Sequence, residues 1–352
     1  MARVGVSEIH GRGLFATRSF VAGEEILREA PLAAMQDVAN RAEVLCCGNC
    51  LAFLDVDEGV RTQLAAGCLT RQEAHRALEG TVCACACGEM YCDEACRASH
   101  RSHETLCVGK ISDSDAAAHP LVAFKTLAVE SNEILLLAAD LLVTDRPAGF
   151  VSEKWDDVVR VAATLRGEPP EDGLEENLRD LVATAAALLS EATGRPVTPD
   201  DISRVVGMFE QNNVGVRKEC DGFPPLEGTA LYARCCSANH SCDPNCDILY
   251  EGPPFVPLEA RLVANRDIEG GDELTISYVD ENADTQTRRW ATAEYGFLCR
   301  CPRCERDSVS SSSSSSSPDD DDVDCDGGNG GEPATQPPDD AVAATRRVER
   351  DG

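Results

Sequence analysis

Cysteine and histidine fall in pairs along one part of this chain: Cys47-x2-Cys50, the run Cys83-Ala84-Cys85-Ala86-Cys87, Cys92-x3-Cys96 and His103-x3-Cys107. Zinc prefers four thiolate or imidazole ligands in a tetrahedron, and ligands two to four residues apart let one tight turn present two of them. The four pairs supply eight ligands, enough for two ions, with Cys83 and Cys85 equally placed to partner Cys87. A further trio, Cys299, Cys301 and Cys304, is one thiolate short of a closed site, and Cys242 is the candidate for the fourth ligand because residues distant in sequence meet in a fold. About three structural zinc ions per chain are therefore expected. Scattered thiols in a reduced core are the plainer reading, but the paired spacing recurs too often within about 60 residues for that to suffice.

A second set of residues has no metal spacing. "CSANHSCDPNC" (236–246) packs Asn239, His240 and Cys242 into a polar run between apolar segments, Tyr278 sits in "ELTISYV", Tyr295 and Phe297 open "YGFLCRCPRC", and Gly11-Arg12-Gly13 opens "GRGLFA". Each has a bland reading taken alone. Tyr278 alternates with Ile276 and would pass for a core tyrosine. His240 would pass for a satisfied structural histidine or a ligand of the neighbouring metal, and Gly11-Arg12-Gly13 for a turn. Asn239-His240-Ser241 fits a glycosylation sequon, which requires secretion.

Composition restricts the classes of function. The chain has 352 residues, 43% of them apolar, enough for a sizeable core and about two domains. Its N-terminus lacks the apolar stretch of a signal peptide, and "ILLLAADLLV" (134–143), interrupted by Asp140, is too short to span a bilayer and reads as a buried helix. Cytoplasm and nucleus are the expected compartments, and there an odd count of 19 cysteines points to zinc rather than to a disulfide framework. The net charge of −30 argues against binding nucleic acid, which needs clustered Lys and Arg. Residues 305–352 carry −9 of it, leaving −21 on the body, a surface suited to a basic partner such as a Lys-rich polypeptide.

The elements that must position these residues follow from local pattern. Residues 1–45 read as short strands with a turn at Ala22-Gly23. Between the first and second ligand pairs of the Cys/His region, Val60, Leu64, Leu69, Ala74 and Leu78 have helical spacing. Residues 116–210 are rich in Ala and Leu at i, i+3, i+4 and read as helices, with Thr198 and Asp200 as N-cap candidates. Residues 228–280 return to strands, of which "ELTISYV" is the clearest. From Ser308 the chain turns into a low-complexity acidic segment, with Ser310–Ser317 beside Asp319–Asp322, which reads as a disordered linker able to accept phosphate.

Taken together and in order, "GRGLFA" (11–16), "NHSCDPNC" (239–246), "GDELTISYVDE" (271–281) and "YGFLCRCPRC" (295–304) resemble the SET domain of protein lysine methyltransferases. The Cys/His region between the first two resembles a MYND zinc finger. The chain thus resembles the SET and MYND domain family over residues 3–304, in a short form without that family's C-terminal helical repeat region, so an open substrate groove is expected. The resemblance implies an α+β fold: a SET-domain β-fold of short strands (1–45 and 206–298) split by the finger (46–107) and a helical insert (108–205). A Cys-rich post-SET zinc segment (299–304) follows, and then a disordered acidic tail (305–352).

The resemblance also implies the chemistry. S-adenosylmethionine would be the methyl donor and a lysine of a histone or non-histone protein the acceptor. In the finger the first ligand pair would share an ion with the third, and the second with the fourth. Gly11, Arg12 and Gly13 would let backbone approach the cofactor, and Asn239 and His240 would hold its adenine and amino-acid portions, with Asn212 (or its neighbour Asn213) as a further contact. Tyr278 would place its hydroxyl beside the transferring methyl, Tyr295 would line the lysine channel, and Phe297 would cover the cofactor or the channel wall. Lysine, with a free pKa near 10.4, must lose its proton to attack, and a narrow apolar channel favours the neutral amine. The competing readings are an inactive adaptor whose finger binds a partner peptide, and a disulfide-stabilised secreted protein, which the odd cysteine count disfavours.

Overall fold

Residues 2–7, 11–78, 82–144, 153–168 and 173–313 are described by the computed structural model. Short strands come first: β1 (Ala2–Ser7), β2 (Gly11–Ala16), β3 (Glu25–Glu29) and β4 (Ala33–Gln36). The Cys/His region contributes α1 (Glu58–Ala65), α2 (Arg71–Ala77), the two-residue strands β5 (Cys83–Ala84) and β6 (Met90–Tyr91), then α3 (Glu94–Ser99) and α4 (Arg101–Leu106). Helices follow: α5 (Asp113–Ala116), α6 (Pro120–Ser131), α7 (Ile134–Thr144), α8 (Trp155–Arg166), α9 (Leu174–Thr193) and α10 (Pro199–Asn212). Strands return as β7 (Val214–Lys218), β8 (Leu226–Leu231), β9 (Asn239–His240), β10 (Cys246–Leu249), β11 (Ala260–Ala264) and β12 (Glu273–Ile276). The last described helices are α11 (Thr285–Thr292) and α12 (Pro302–Ser313). None of the described helices is long and apolar enough to cross a membrane.

The sheet orders explain how the two halves of the sequence make one body. β2 pairs with β12, β3 with β11 and β4 with β8, so each of the three larger sheets joins a strand before the Cys/His region to one after the helices. Everything between β4 and β7 is thereby an excursion from a closed framework. Closing so long a loop costs little more than closing a short one, because the entropy grows only with the logarithm of length. Leu14 and Leu274 from one sheet, Leu27 and Leu262 from another, and Leu135, Leu189 and Phe209 from the helices share a single apolar core. The Cys/His region has a small core of its own, built on Leu45, Leu54, Leu64, Met90 and Tyr91.

Local chemistry sets the helices. α7 is the expected buried helix, with Leu135, Leu137, Ala138 and Leu141 all in the core. α10 starts at Thr198, whose side chain accepts from the Asp201 N–H while Asp201 returns a bond to the Thr198 N–H. Asp200 is not the cap: it accepts from Arg204 at 2.9 Å in the first turn. Gly207 lets α10 close on the start of α8, since a Cβ there would lie 2.5 Å from the Glu153 carbonyl oxygen.

Three expectations change. α10 runs on to Asn212, past the boundary expected at 205. The strand in "ELTISYV" stops at Ile276, because the Tyr278 N–H bonds the His240 ring instead of a neighbouring strand. Residues 305–313 are helical rather than disordered, because Asp307 accepts from the Arg288 guanidinium at 2.8 Å and from the Thr285 hydroxyl at 3.1 Å, pinning α12 to α11. The remainder of the expected acidic tail, from 314, lies outside the described residues.

Replacing Gly207 by Ala forces backbone of α8 and α10 apart and is expected to destabilise the protein by about 1–3 kcal/mol. Thermal unfolding checks this, and an unchanged Tm would mean that the two helices do not approach so closely.

Candidate active site and metal clusters

Three groups of ligand atoms come together, each within 4.8 Å of one another: Cys47, Cys50, Cys92 and Cys96; Cys85, Cys87, His103 and Cys107; and Cys242, Cys299, Cys301 and Cys304. Sulfur separations are 3.3 Å for Cys47–Cys96, 3.4 Å for Cys50–Cys92, 3.5 Å for Cys85–Cys107 and 3.5 Å for Cys242–Cys304. A disulfide needs about 2.05 Å, whereas a tetrahedron with Zn–S bonds of about 2.3 Å has edges of roughly 3.8 Å. The donor sets and spacings therefore fit zinc, and every described cysteine is a free thiol. The first pair joins the third and the second joins the fourth, and Cys242 is the distant fourth member of the C-terminal cluster.

Cys83 is the correction. Strand β5 ends at Ala84, and the turn from Cys85 to Glu89, with Gly88 at φ 98°, presents Cys85 and Cys87 together. Cys83, two residues back along the strand, instead donates its thiol to Glu94 at 3.2 Å. The 32 residues between Cys50 and Cys83 hold α1 and α2, whose Leu64, Ala74 and Leu78 fill the small second core.

One acid of the finger pairs with an arginine of the body. Glu89 pairs with Arg41 at 2.5 Å and with Arg71 at 3.4 Å, and packs so closely on Gly48 that a Cβ there would meet it at 2.6 Å. Burial pushes the Glu89 carboxyl up, but the two guanidiniums outweigh it and hold it below its ordinary value. Beside this contact is a cavity of about 300 Å³ between the finger and α6 and α7, lined by residues that include Leu106, Phe124, Lys125 and Leu137. Neither the tyrosines nor Asn239 and His240 line it.

Those residues gather instead where β2, β12 and β9 lie side by side. β9 runs parallel to β12, with Asn239 opposite Thr275 and His240 opposite Ile276. The Asn239 amide donates to the Arg12 carbonyl at 2.8 Å and to Glu273 at 2.6 Å, and Glu273 also accepts from the Ser7 hydroxyl at 2.8 Å. Gly13 is required by this bracket, since a Cβ there would stand 2.5 Å from the Glu273 carboxylate. Gly11 takes φ 78° at the open start of β2, beside exposed Arg12. Sequence reasoning missed Glu273, an acid at the head of a strand with no spacing to mark it. It also missed Asn245, which accepts from the Thr275 N–H at 2.8 Å and donates to the Glu273 carbonyl at 2.9 Å, fixing the loop to β12. Its place in "DPN", a turn sequence, was the available signal.

Tyr278, 8% exposed, donates its hydroxyl to the Ala238 carbonyl at 2.7 Å. Its ring stands 5.0 Å from that of Tyr295 and 6.4 Å from that of Phe297, which in turn is 6.0 Å from His240. Gly296, at φ 83° between Tyr295 and Phe297, lies against Gln211 at the end of α10. Two of the expected cofactor residues hold protein partners through their side chains. The Asn212 amide donates to the Met208 carbonyl of its own helix at 2.9 Å. The His240 ring is buried and both its nitrogens face protein atoms, so any cofactor contact from this residue comes from its backbone.

The arrangement leaves polar groups suited to an amino-acid nucleoside. The buried Ser237 hydroxyl has no hydrogen-bond partner among the described residues, and Gly11 and Arg12 are exposed. The aromatic rings of Tyr278, Tyr295 and Phe297 pack into one cluster. Arg288, 2% exposed and also missed from sequence, points its guanidinium at the Cys304 sulfur at 3.6 Å. Four thiolates exceed the charge of one Zn²⁺, and a buried cation beside them offsets the excess.

A family model described as SET domain matches residues 11–279. The protein-lysine N-trimethyltransferase SMYD5 of Gallus gallus is 26% identical over 369 residues, covering 85% of this chain and 84% of that protein. The histone-lysine N-methyltransferase ATXR2 of Arabidopsis thaliana is 23% identical over 425 residues, covering 85% of this chain and 89% of that one. The SET domain and MYND-type zinc finger protein 6 of Schizosaccharomyces pombe is 39% identical over 84 residues, covering 24% of this chain and 16% of that protein.

Metal analysis of the purified chain is expected to find three zinc ions, one for each cluster. Cys85→Ser should lose one of them and Cys83→Ser none; equal loss from both variants would contradict the assignment of Cys85.

Proposed function

The chain belongs to the SET domain family, and from that premise we propose that it is a protein lysine N-methyltransferase that uses S-adenosylmethionine. The observation that carries the reading is the juxtaposition of two features. The Asn239–Arg12 bracket lies beside β12 at Thr275, and Tyr278, with its hydroxyl fixed on the Ala238 carbonyl, follows just past the C-terminal end of the same strand. A binding site for a polar cofactor and a slot for an aliphatic amine thus meet at the same three strands. Zinc holds the finger and the C-terminal segment in shape and takes no part in the chemistry.

S-adenosylmethionine, when bound, supplies a methyl group on a positively charged sulfur. The protein's own residues do the rest. Asn239 Oδ1 is an acceptor placed for the ammonium of an amino acid, while its amide nitrogens are already committed to Arg12 and Glu273 and so fix its orientation. The rings of Tyr278, Tyr295 and Phe297 exclude water around the substrate side chain and disfavour the lysine ammonium, so that the neutral amine is the form held for attack. The Tyr278 hydroxyl, donating to Ala238, turns its oxygen lone pairs toward the slot, where they align the reacting groups. The placement of all these residues argues against the inactive-adaptor reading.

The substrate class is a lysine-containing segment that is basic overall, a histone tail or a non-histone protein of similar charge, matched to the −21 carried by residues 1–304. The many free thiols support a reducing compartment, cytoplasm or nucleus. The finger, with its own core, is a candidate dock for a partner peptide.

Transfer of labelled methyl from S-adenosylmethionine to an array of histone and non-histone lysine peptides tests the reading. The wild type should label a basic subset, and Tyr278→Phe should lower the rate by about 10²-fold, the scale of losing one aligned hydroxyl in a preorganised site. Cofactor binding with no labelling of any peptide would move the chain to the adaptor reading.

A further inference from the structure

His240 is 2% exposed, and each of its ring nitrogens meets a different part of the protein. The Tyr278 N–H donates to Nδ1 at 3.0 Å, so Nδ1 keeps its lone pair and the proton of the neutral ring resides on Nε2. That Nε2–H stands 3.2 Å from the sulfur of Cys242. We infer that His240 is a positioning residue that couples the C-terminal thiolate cluster to Tyr278, holding the Cys242 sulfur through Nε2–H and the Tyr278 main chain through Nδ1.

The strand geometry gives this link its importance. β12 ends at Ile276, where the Ser241 N–H makes the last ladder bond at 3.0 Å, and two residues on the imidazole receives the Tyr278 N–H. Tyr278 is therefore clamped twice by one short segment: its hydroxyl by the Ala238 carbonyl and its N–H by His240. The far end of that segment is Cys242, whose carbonyl also accepts from Arg303 of α12 at 2.7 Å. A thiolate in the zinc cluster is a strong acceptor for Nε2–H, and ring–metal contacts of this outer kind commonly change metal affinity or activity by 10- to 100-fold.

The consequence for methyl transfer rests on the function proposed above, while the link itself stands on geometry and is tested without turnover. In the full chain, His240→Asn keeps an acceptor near the Nδ1 position and removes the donor to Cys242. His240→Gln places an amide N–H near the Nε2 position and removes the acceptor for Tyr278. Zinc release to the chromophore 4-(2-pyridylazo)resorcinol and binding of S-adenosylmethionine by calorimetry are read for both. His240→Asn should release one of the three zinc ions about 10-fold faster than His240→Gln. His240→Gln should weaken cofactor binding by about 10-fold more than His240→Asn. Identical behaviour of the two variants in both readouts would overturn the coupling. Nitrogen NMR of histidine-labelled wild type decides the matter if neither variant folds. The His240 proton should be on Nε2 in the zinc-loaded protein and the signal should shift on zinc removal; a proton on Nδ1, or no shift, refutes the inference. Absence of methyl transfer with the tautomer and zinc results as expected would count against the enzyme reading alone.

Discussion

The parallel contact of β9 with β12, two residues long, is the constraint on which the rest of the site depends. It places Asn239 beside the Arg12 carbonyl on one side and brings Ala238 over Tyr278 on the other. A two-residue ladder is too short to be stable by itself. Glu273, Asn245 and Gly13 make it so: the acid ties Asn239 to Ser7, the amide of Asn245 takes the place of a missing strand along β12, and the glycine leaves room for both neighbours.

Zinc does for the finger and the C-terminal segment what apolar packing does for the body. The finger's core is a handful of residues around Met90 and Tyr91, and the C-terminal cluster has scarcely any core beyond its own sulfurs and Phe297. Segments this small bury too little surface to outweigh chain entropy, and folding energy has to come from metal binding. The body then gains from the metal indirectly. Glu89 carries the finger's order to Arg41, next to β4, and α12 carries the C-terminal order to α11 through the Arg288–Asp307 pair.

Charge is distributed in keeping with these roles. The sequence is strongly acidic overall, while Arg288 is buried at the C-terminal cluster and Arg41 and Arg71 are half-buried at the finger's anchor. Arg288 faces thiolates whose summed charge exceeds that of one zinc ion, and Arg41 and Arg71 share one carboxylate. Buried guanidiniums of this kind are tolerated because each has an anion within hydrogen-bonding reach.

The residue types and spacings of this sequence determined that metal would be bound, that strands would flank a helical excursion, and that the four stretches around Gly11, Asn239, Tyr278 and Phe297 belong to one kind of site, because such information is local in the chain. What they could not determine is which of several local choices wins when segments far apart in sequence must meet. Cys83 and Cys85 have the same spacing to Cys87 within a residue or two, and only the turn at Gly88 selects Cys85. The Asn212 amide bonds its own helix because α10 runs on past the expected boundary. The His240 ring receives the Tyr278 N–H just past the end of β12. Glu273 gave no signal and Asn245 only its place in a turn sequence, since their value lies in atoms contributed by Ser7, Asn239 and Thr275. Those contacts exist only once the first strands and the last have closed around everything inserted between them.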